Sequence, residues 1–517
     1  MVRRGLQGGL KSGIFKRRNL TFSLWIASII LLFLSHPPVQ DVKAATASVN
    51  QSVLVVLAEF PEYPHLASRA QISHLVFGIV GLYFSGVSYG KLMLGGNVTE
   101  WITLPRVYQQ YLVGGQFDSE QVARDSFSVA SHAYNLTSFG SYLLVLSFYP
   151  GSGDYITLKT PVMTGTGTVG GFSVLEEDSD WTGYARAVAL SIGLWKVSSR
   201  ISGLGSLDIA AQGSGDMSAW SKLYLGWIND SQIVSYQIPP SRIISSIDAI
   251  EQPSPGHYAI MVGAGVGEYF LEARKPVGYD QLNAGDKGIS VLFIPEGNAS
   301  ISVRALLVPY SASKSTFLDL SADLSFVALN ETESGFLVLI GSVQDGRDAQ
   351  RTLYLLSQAD ASIQAAKDGN RVAGLDLAEQ LDKDAQKLFS EARFQEAAAL
   401  AGSAQTTAQA AEVPPDYTQS LNLIAQAESL QSQVQGLSPH SIDAVTYGNS
   451  QVELAKQSFI AKNFTLARQQ AQAAIDAYNR AKQIAVTDSI FQWVSNIALI
   501  IPVVVLAAVL RHQLRSG

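Results

Sequence analysis

The run 490–510 constrains this chain more than any other feature. It contains no charged residue and is followed at once by Arg511 and Arg515. Its length, about 20 residues, is what a helix needs to cross a bilayer. It is expected to be a transmembrane helix with Trp493 as an interfacial anchor and the basic tail 511–517 on the cytoplasmic side. The other end reads as a secretory signal over 1–47. Arg3, Arg4, Lys11, Lys16, Arg17 and Arg18 precede the apolar run 22–34, and the small residues 44–47 supply a cleavage point. The expected placement is therefore a single-pass cell-membrane protein with the bulk of the chain extracellular.

A chain of 517 residues is too long for one domain. It contains no cysteine, which excludes disulfides, thiolate metal sites and cysteine nucleophiles. An extracellular protein of this kind is held together by burial alone, which its size permits. Lys and Arg total 36 against 43 Asp and Glu. Loss of the basic leader makes the remainder more acidic still, which argues against a nucleic-acid partner.

Three blocks lie between the ends. Block 48–230 mixes strands and helices. Runs 52–58 and 142–148 are apolar and of strand length; 68–86 has helical spacing; 181–197 reads as a buried helix capped by Ser179 or Asp180. Block 231–343 has short β-prone runs at 257–262, 269–273, 289–294, 300–308 and 335–340, separated by turn residues, as in a β-sandwich. Block 344–487 is rich in Ala, Gln and Leu and reads as a helical stalk. It repeats itself. Ala385, Phe389, Phe394, Ala397, Ala401 and Ala404 recur as Ala455, Phe459, Phe464, Ala467, Ala471 and Ala474, all at one offset, so each copy is expected to be a helical hairpin. The expected class is α+β and multidomain.

Several segments in order resemble the immune inhibitor A family of secreted metallopeptidases. They are Val53-Leu-Val-Val-Leu-Ala-Glu-Phe-Pro61, Tyr83-Phe-Ser-Gly-Val-Ser-Tyr-Gly-Lys-Leu92, Asn97-Val-Thr-Glu-Trp-Ile-Thr-Leu-Pro105, Ala219-Trp-Ser-Lys-Leu-Tyr-Leu-Gly-Trp227, Glu268-Tyr-Phe-Leu-Glu-Ala-Arg274, Gly278-Tyr-Asp280 and Gly288-Ile-Ser-Val291. The resemblance covers 52–343 and implies a zincin-like peptidase-type domain over 48–230, with a zinc-binding His-Glu-x-x-His helix. At those positions, aligned on Gly193-Leu194, this chain has Arg186, Ala187, Val188, Ala189 and Leu190. Zinc hydrolysis needs imidazole and carboxylate ligands, an open position for water and a carboxylate base. None of these is present, and the downstream ligand position falls near Trp195-Lys196. Asp208 survives in a degenerate Leu207-Asp-Ile-Ala210 turn.

The expectation is a metallopeptidase-like protein without catalysis and without zinc, acting as a surface binding or structural component with a peptide or protein ligand. Arg186 would put a cation where the metal stood, or pair with an acid such as Glu176. The alternative is an active cell-surface zinc metallopeptidase using other ligands. Of the seven histidines, His36 falls in the leader and His512 in the tail. His65 and His74 share a region without an evident acidic partner, and His132, His257 and His440 stand apart. The acids Glu176, Glu177, Asp178 and Asp180 suit calcium or a helix N-terminus. The run Gly165-Thr-Gly-Thr-Val-Gly170 matches a dinucleotide motif, but strand-like residues follow it where a helix is required. Sequons begin at Asn50, Asn97, Asn135, Asn229, Asn298, Asn330 and Asn463 and fit an extracellular glycoprotein.

Overall fold

The computed structural model describes residues 49–151, 154–164, 167–237, 242–280 and 287–516; the signal expected over 1–47 lies outside them. The chain is mixed α/β. Its first sheet contains β1 (Val49–Glu59), β2 (Leu92–Thr103), β3 (Ser141–Leu146), β4 (Asp154–Thr164) and β5 (Gly167–Glu176), in the order β2-β1-β3-β5-β4. β1, β3 and β5 are parallel, with Val53 opposite Ser141 and Leu143 opposite Ser173. β4 is antiparallel to β5 and ends the sheet. Gly167–Gly170 thus lie in a strand, and no helix starts at the glycine motif.

Both faces of this sheet are covered, so β1 reads as an unbroken apolar run. Leu54, Val56 and Ala58 pack on Val122, Ala123 and Phe127 of α3 (Ser119–Ala130). Val53, Val55 and Leu57 face the opposite way, as the two-residue period of a strand requires. They pack on α1 (Arg69–Ser73), α2 (Gly81–Val87), the π-helical segment His74–Val80 between them, and α4 (Trp181–Ser191). A capping box between Ser68 and Gln71 opens α1. Asp180 caps α4 by accepting from Gly183 N at 2.8 Å. α4 is shorter than the helix expected over 181–197. It ends at Ser191, and Gly193, at φ +147°, turns the chain into a 3-10 segment Leu194–Val197. A short helix α5 (Ala219–Tyr224) follows.

The second block forms two sheets. One has the order β11 (Ser302–Leu307), β10 (Gly288–Pro295), β9 (Gly267–Arg274), β8 (Ala259–Gly263), β6 (Ile233–Tyr236). The other has the order β12 (Thr316–Asp319), β13 (Leu324–Glu331), β14 (Gly335–Gly341), β7 (Ile243–Asp248). Tyr269, Leu271 and Val291 of the first meet Phe326, Phe336 and Val338 of the second in one core. Both outer faces are partly covered. Phe270, Leu292 and Ile294 join the core beneath α4. Val327, Leu329 and Leu339 join Leu353, Leu356, Phe389 and Phe394 of the helical block.

That last contact alters the expected stalk. α6 (Val343–Asp368), α7 (Leu375–Ser390) and α8 (Phe394–Ala410) form a three-helix unit seated on the sandwich, not a free spacer. Arg242 reinforces the seat, with its guanidinium 4.8 Å from the Phe394 ring centre and 3.3 Å from Asp345. A second unit contains α9 (Tyr417–Val434), α10 (Ile442–Ile460) and α11 (Phe464–Ser516). The recurring Ala and Phe positions lie in α7 and α8 and again in α10 and α11; all are buried except Phe459, which is half-buried. The hairpin turns also correspond. Ala392 and Lys462 occupy the same repeat position and are both left-handed, at φ +58° and +59°. α11 continues without a break through the apolar run, whose side chains are exposed, and this suits a single-pass membrane anchor. The less apolar stretch Arg69–Val87, also long enough to span, contributes to the core of the first block.

Candidate functional site

The five positions that the resemblance aligns with a metal-binding motif, Arg186 to Leu190, are distributed around α4. Ala187, Val188, Ala189 and Leu190 are buried against the π-helical segment and the sheet. Arg186 is half-buried and forms no hydrogen bond or ion pair among the described residues, and its Nε is enclosed without a partner. It does not pair with Glu176. Trp195, near the third ligand position, stacks on Tyr155 of the edge strand β4, with ring centres 4.8 Å apart and planes at 9°. The stack is possible because residue 171 is glycine: a Cβ there would lie 1.7 Å from the Tyr155 hydroxyl. The space between α4 and the sheet edge is thus occupied by aromatic rings.

Two acids of the run 176–180 are engaged by backbone donors. Glu177 turns back to the loop after β1 and accepts from Leu66 N and Ala67 N at 2.7–3.0 Å. Burial pushes its carboxyl up, and the two N–H donors offset that only in part. Asp180 is occupied as the helix cap. No group of three or more His, Asp or Glu placed to hold a metal occurs among the described residues.

His65 has the acidic partner that its sequence context hides. Glu59, the last residue of β1, accepts from His65 N at 3.0 Å and contacts Nδ1 at 2.6 Å. Burial would raise the Glu59 carboxyl, but the His65 N–H and ring and the Thr103 hydroxyl outweigh it and hold the group below its ordinary value. The imidazole stacks on Trp101, ring centres 4.6 Å apart. A carboxylate that orients an imidazole through Nδ1 is the supporting half of a general-base pair. No hydroxyl is hydrogen-bonded to this ring among the described residues, so the pair pins the loop after β1. His74, His132, His257 and His440 are exposed and separate.

The densest polar constellation lies where the first block meets the sandwich. Asp208, Asp216, Glu272 and Asp280 are buried there with Lys222 and Arg274, and Glu251 joins them. Lys222 Nζ donates to Asp216 Oδ2 at 2.8 Å, to Ile250 O at 2.7 Å and to the Tyr89 hydroxyl at 3.2 Å. Arg274 donates to Asp280 at 2.7 Å, to Glu272 at 2.9 Å and to the Leu207 carbonyl. Glu272 also accepts from Ala219 N at 2.7 Å. Asp208 accepts from Ala210 N, Ser218 N and Ser218 Oγ at 2.8–3.0 Å, so it organises a turn. Gly215 lets Asp280 approach, since a Cβ there would lie 2.1 Å from Oδ1.

Five carboxyl groups face two cations in this site, so the excess of buried negative charge favours protonation among the acids. Burial, reinforced by the negative charge of Asp280, pushes Glu251 well up, and Arg274 only partly offsets this. Asp280 moves the other way: burial would raise it, but Arg274 and a hydrogen bond from Glu251 hold it low. The protonated form of Glu251 is thus favoured, beside an Asp280 carboxylate that is held low. Burial pushes Asp216 up to about 6 despite Lys222.

Tyr89, Lys91, Lys222, Trp227, Glu272, Arg274 and Asp280 all belong to the segments that carried the family resemblance. Lys91 completes the set by donating to Trp227 O at 2.7 Å. Those segments meet in a structural joint. No family model matches the chain, and no curated protein matches it.

Of the sequon asparagines, Asn50, Asn97, Asn135, Asn229, Asn298 and Asn463 are exposed, and Asn330 is half-buried in β13.

Proposed function

We propose that this chain is a membrane-anchored surface protein whose first block is a peptidase-like domain turned to binding, without a resident metal and without hydrolysis. The observation that carries the reading is the burial of Ala187 and Leu190, which puts apolar packing where a base and a ligand would need an open, water-filled site. Support for a binding role comes from the sheet edge. β4 ends its sheet, and the half-buried Arg186 on the adjacent helix has donors to spare. An extended segment of a partner protein can add to such an edge through its backbone, while a guanidinium takes a carboxylate or carbonyl. The sequons and the basic residues after the apolar run support an extracellular site for this activity.

The test uses the purified full-length protein in detergent. Metal analysis is expected to find no stoichiometric zinc, and peptide digestion no chelator-sensitive cleavage. Zinc at one per chain with cleavage abolished by a chelator overturns the reading. Arg186→Ala is expected to weaken capture of extended acidic peptides at least tenfold; unchanged capture counts against the assigned role of Arg186.

A further inference from the structure

The second three-helix unit stands directly on the anchor. Asp488 precedes the apolar run by two residues, yet it belongs to the unit's packing. Its carboxylate accepts from Ser438 Oγ and contacts His440 Nδ1 at 3.0 Å, so the turn between α9 and α10 is tied to α11 at this level. The run 490–510 is about 30 Å long as a helix, which matches a hydrocarbon core of about 30 Å. Asp488 then lies about 3 Å beyond the core, within a headgroup layer roughly 5–7 Å deep on each side. The tied turn shares that layer.

The turn is built to be there. Gly436, at φ +73°, and Pro439 shape it. Leu437 is 42 % exposed and Ile442 59 % exposed, while Ser438, His440 and Ser441 lie between them. Two apolar side chains flanking hydroxyl and imidazole groups suit a boundary where acyl chains meet headgroups. The opposite end of α10 gives an internal comparison. Ile460 is 80 % exposed but lies about 27 Å farther along the helix, away from the bilayer.

We propose that the turn 435–442 is a second membrane contact, a foot set into the lipid headgroup layer beside the anchor. The proposal rests on the membrane-spanning reading of 490–510 and is independent of any role for the peptidase-like block. Two contacts offset from one another restrain how far the unit leans and which of its sides faces the lipid, which a lone span leaves open.

The chain has no cysteine, so single-cysteine variants need no background changes. Leu437→Cys, Ile442→Cys, Ile460→Cys and Leu499→Cys in the full chain are each labelled with a nitroxide and placed in phosphatidylcholine nanodiscs. Collision with oxygen relative to a water-soluble nickel chelate reports depth. The expected ratio is several-fold higher at 437 and 442 than at 460, and highest at 499. Ratios at 437 and 442 equal to that at 460, with 499 deep, overturn the foot while leaving the anchor standing. A water-like ratio at 499 removes the anchor, and the foot with it.

Discussion

The ammonium of Lys222 lies 2.8 Å from the Asp216 carboxylate, and neither side chain reaches solvent. The pair joins the first block to the sandwich through Ile250 O and Tyr89. Removing one member leaves a buried charge without its partner. Lys222→Met is expected to destabilise the protein by about 3–5 kcal/mol, and Lys222→Met with Asp216→Leu by clearly less. Thermal unfolding of the three proteins at pH 7 measures the difference.

The same joint makes stability depend on pH. Glu251 and Asp216 have folded-state values raised above those of the unfolded chain. The folded protein therefore holds more protons between the two values. This contribution is complete below the unfolded values, near 4, and is lost as pH rises through the folded ones. The melting temperature is expected to fall between pH 5 and pH 8. Glu251→Gln, which keeps a hydrogen-bond donor without a charge, is expected to flatten that fall and to raise the melting temperature at pH 8.

The Tyr155–Trp195 stack depends on an absent side chain. Gly171→Ala puts a Cβ where the Tyr155 hydroxyl lies. The expected loss is about 1–3 kcal/mol, measured by denaturant unfolding. Tyr155→Phe in the Gly171→Ala background is expected to recover part of it.

Among the buried positions at which the two helical units differ, one carries an acid in the first unit. Asp382 in α7 corresponds to Val452 in α10, and both are buried. Burial and the neighbouring Asp360 push the Asp382 carboxyl up to about 6. Asp382→Val is expected to stabilise the protein by about 1 kcal/mol at pH 7.5. Because the raised carboxyl favours folding only while protonated, the gain shrinks as pH falls below 6. Melting curves at pH 5 and pH 7.5 test this.

Ala392 and Lys462 sit in a left-handed conformation that suits glycine. Each change to glycine is expected to add roughly 0.5–1 kcal/mol. Lys462→Gly also gives up a surface ion pair with Asp376, which is worth little. Chemical denaturation of each variant measures the gain.

These cases show which parts of the fold were legible in the sequence. The strands at 52–58 and 289–294 were, because an apolar run bounded by turn residues has one reading when both faces are covered. β7 and β12 were not: Ile243–Asp248 reads Ile-Ile-Ser-Ser-Ile-Asp, without a two-residue alternation, and Thr316–Asp319 is too short to show a period. The sandwich's outer contacts were also hidden, since Phe270 and Leu329 do not name what covers them. His65 looked isolated because its partner Glu59 comes from the end of a strand, and Glu177 reaches the same loop from more than 100 residues away. The charged joint was invisible for the same reason. Lys222, Glu251 and Arg274 meet only once the blocks have packed, although the segments holding Lys222 and Arg274 already stood out.

α11 is both the last helix of the exposed region and the anchor, with Pro502 inside it. Such a protein has no swivel above the lipid. Its portion ahead of the membrane is about 40 Å long, so a lean of about 20° moves the upper end sideways by roughly 13 Å. Bilayer thickness, where it departs from the length of the span, then becomes one influence, beside the foot, on where the distant sheet edge points.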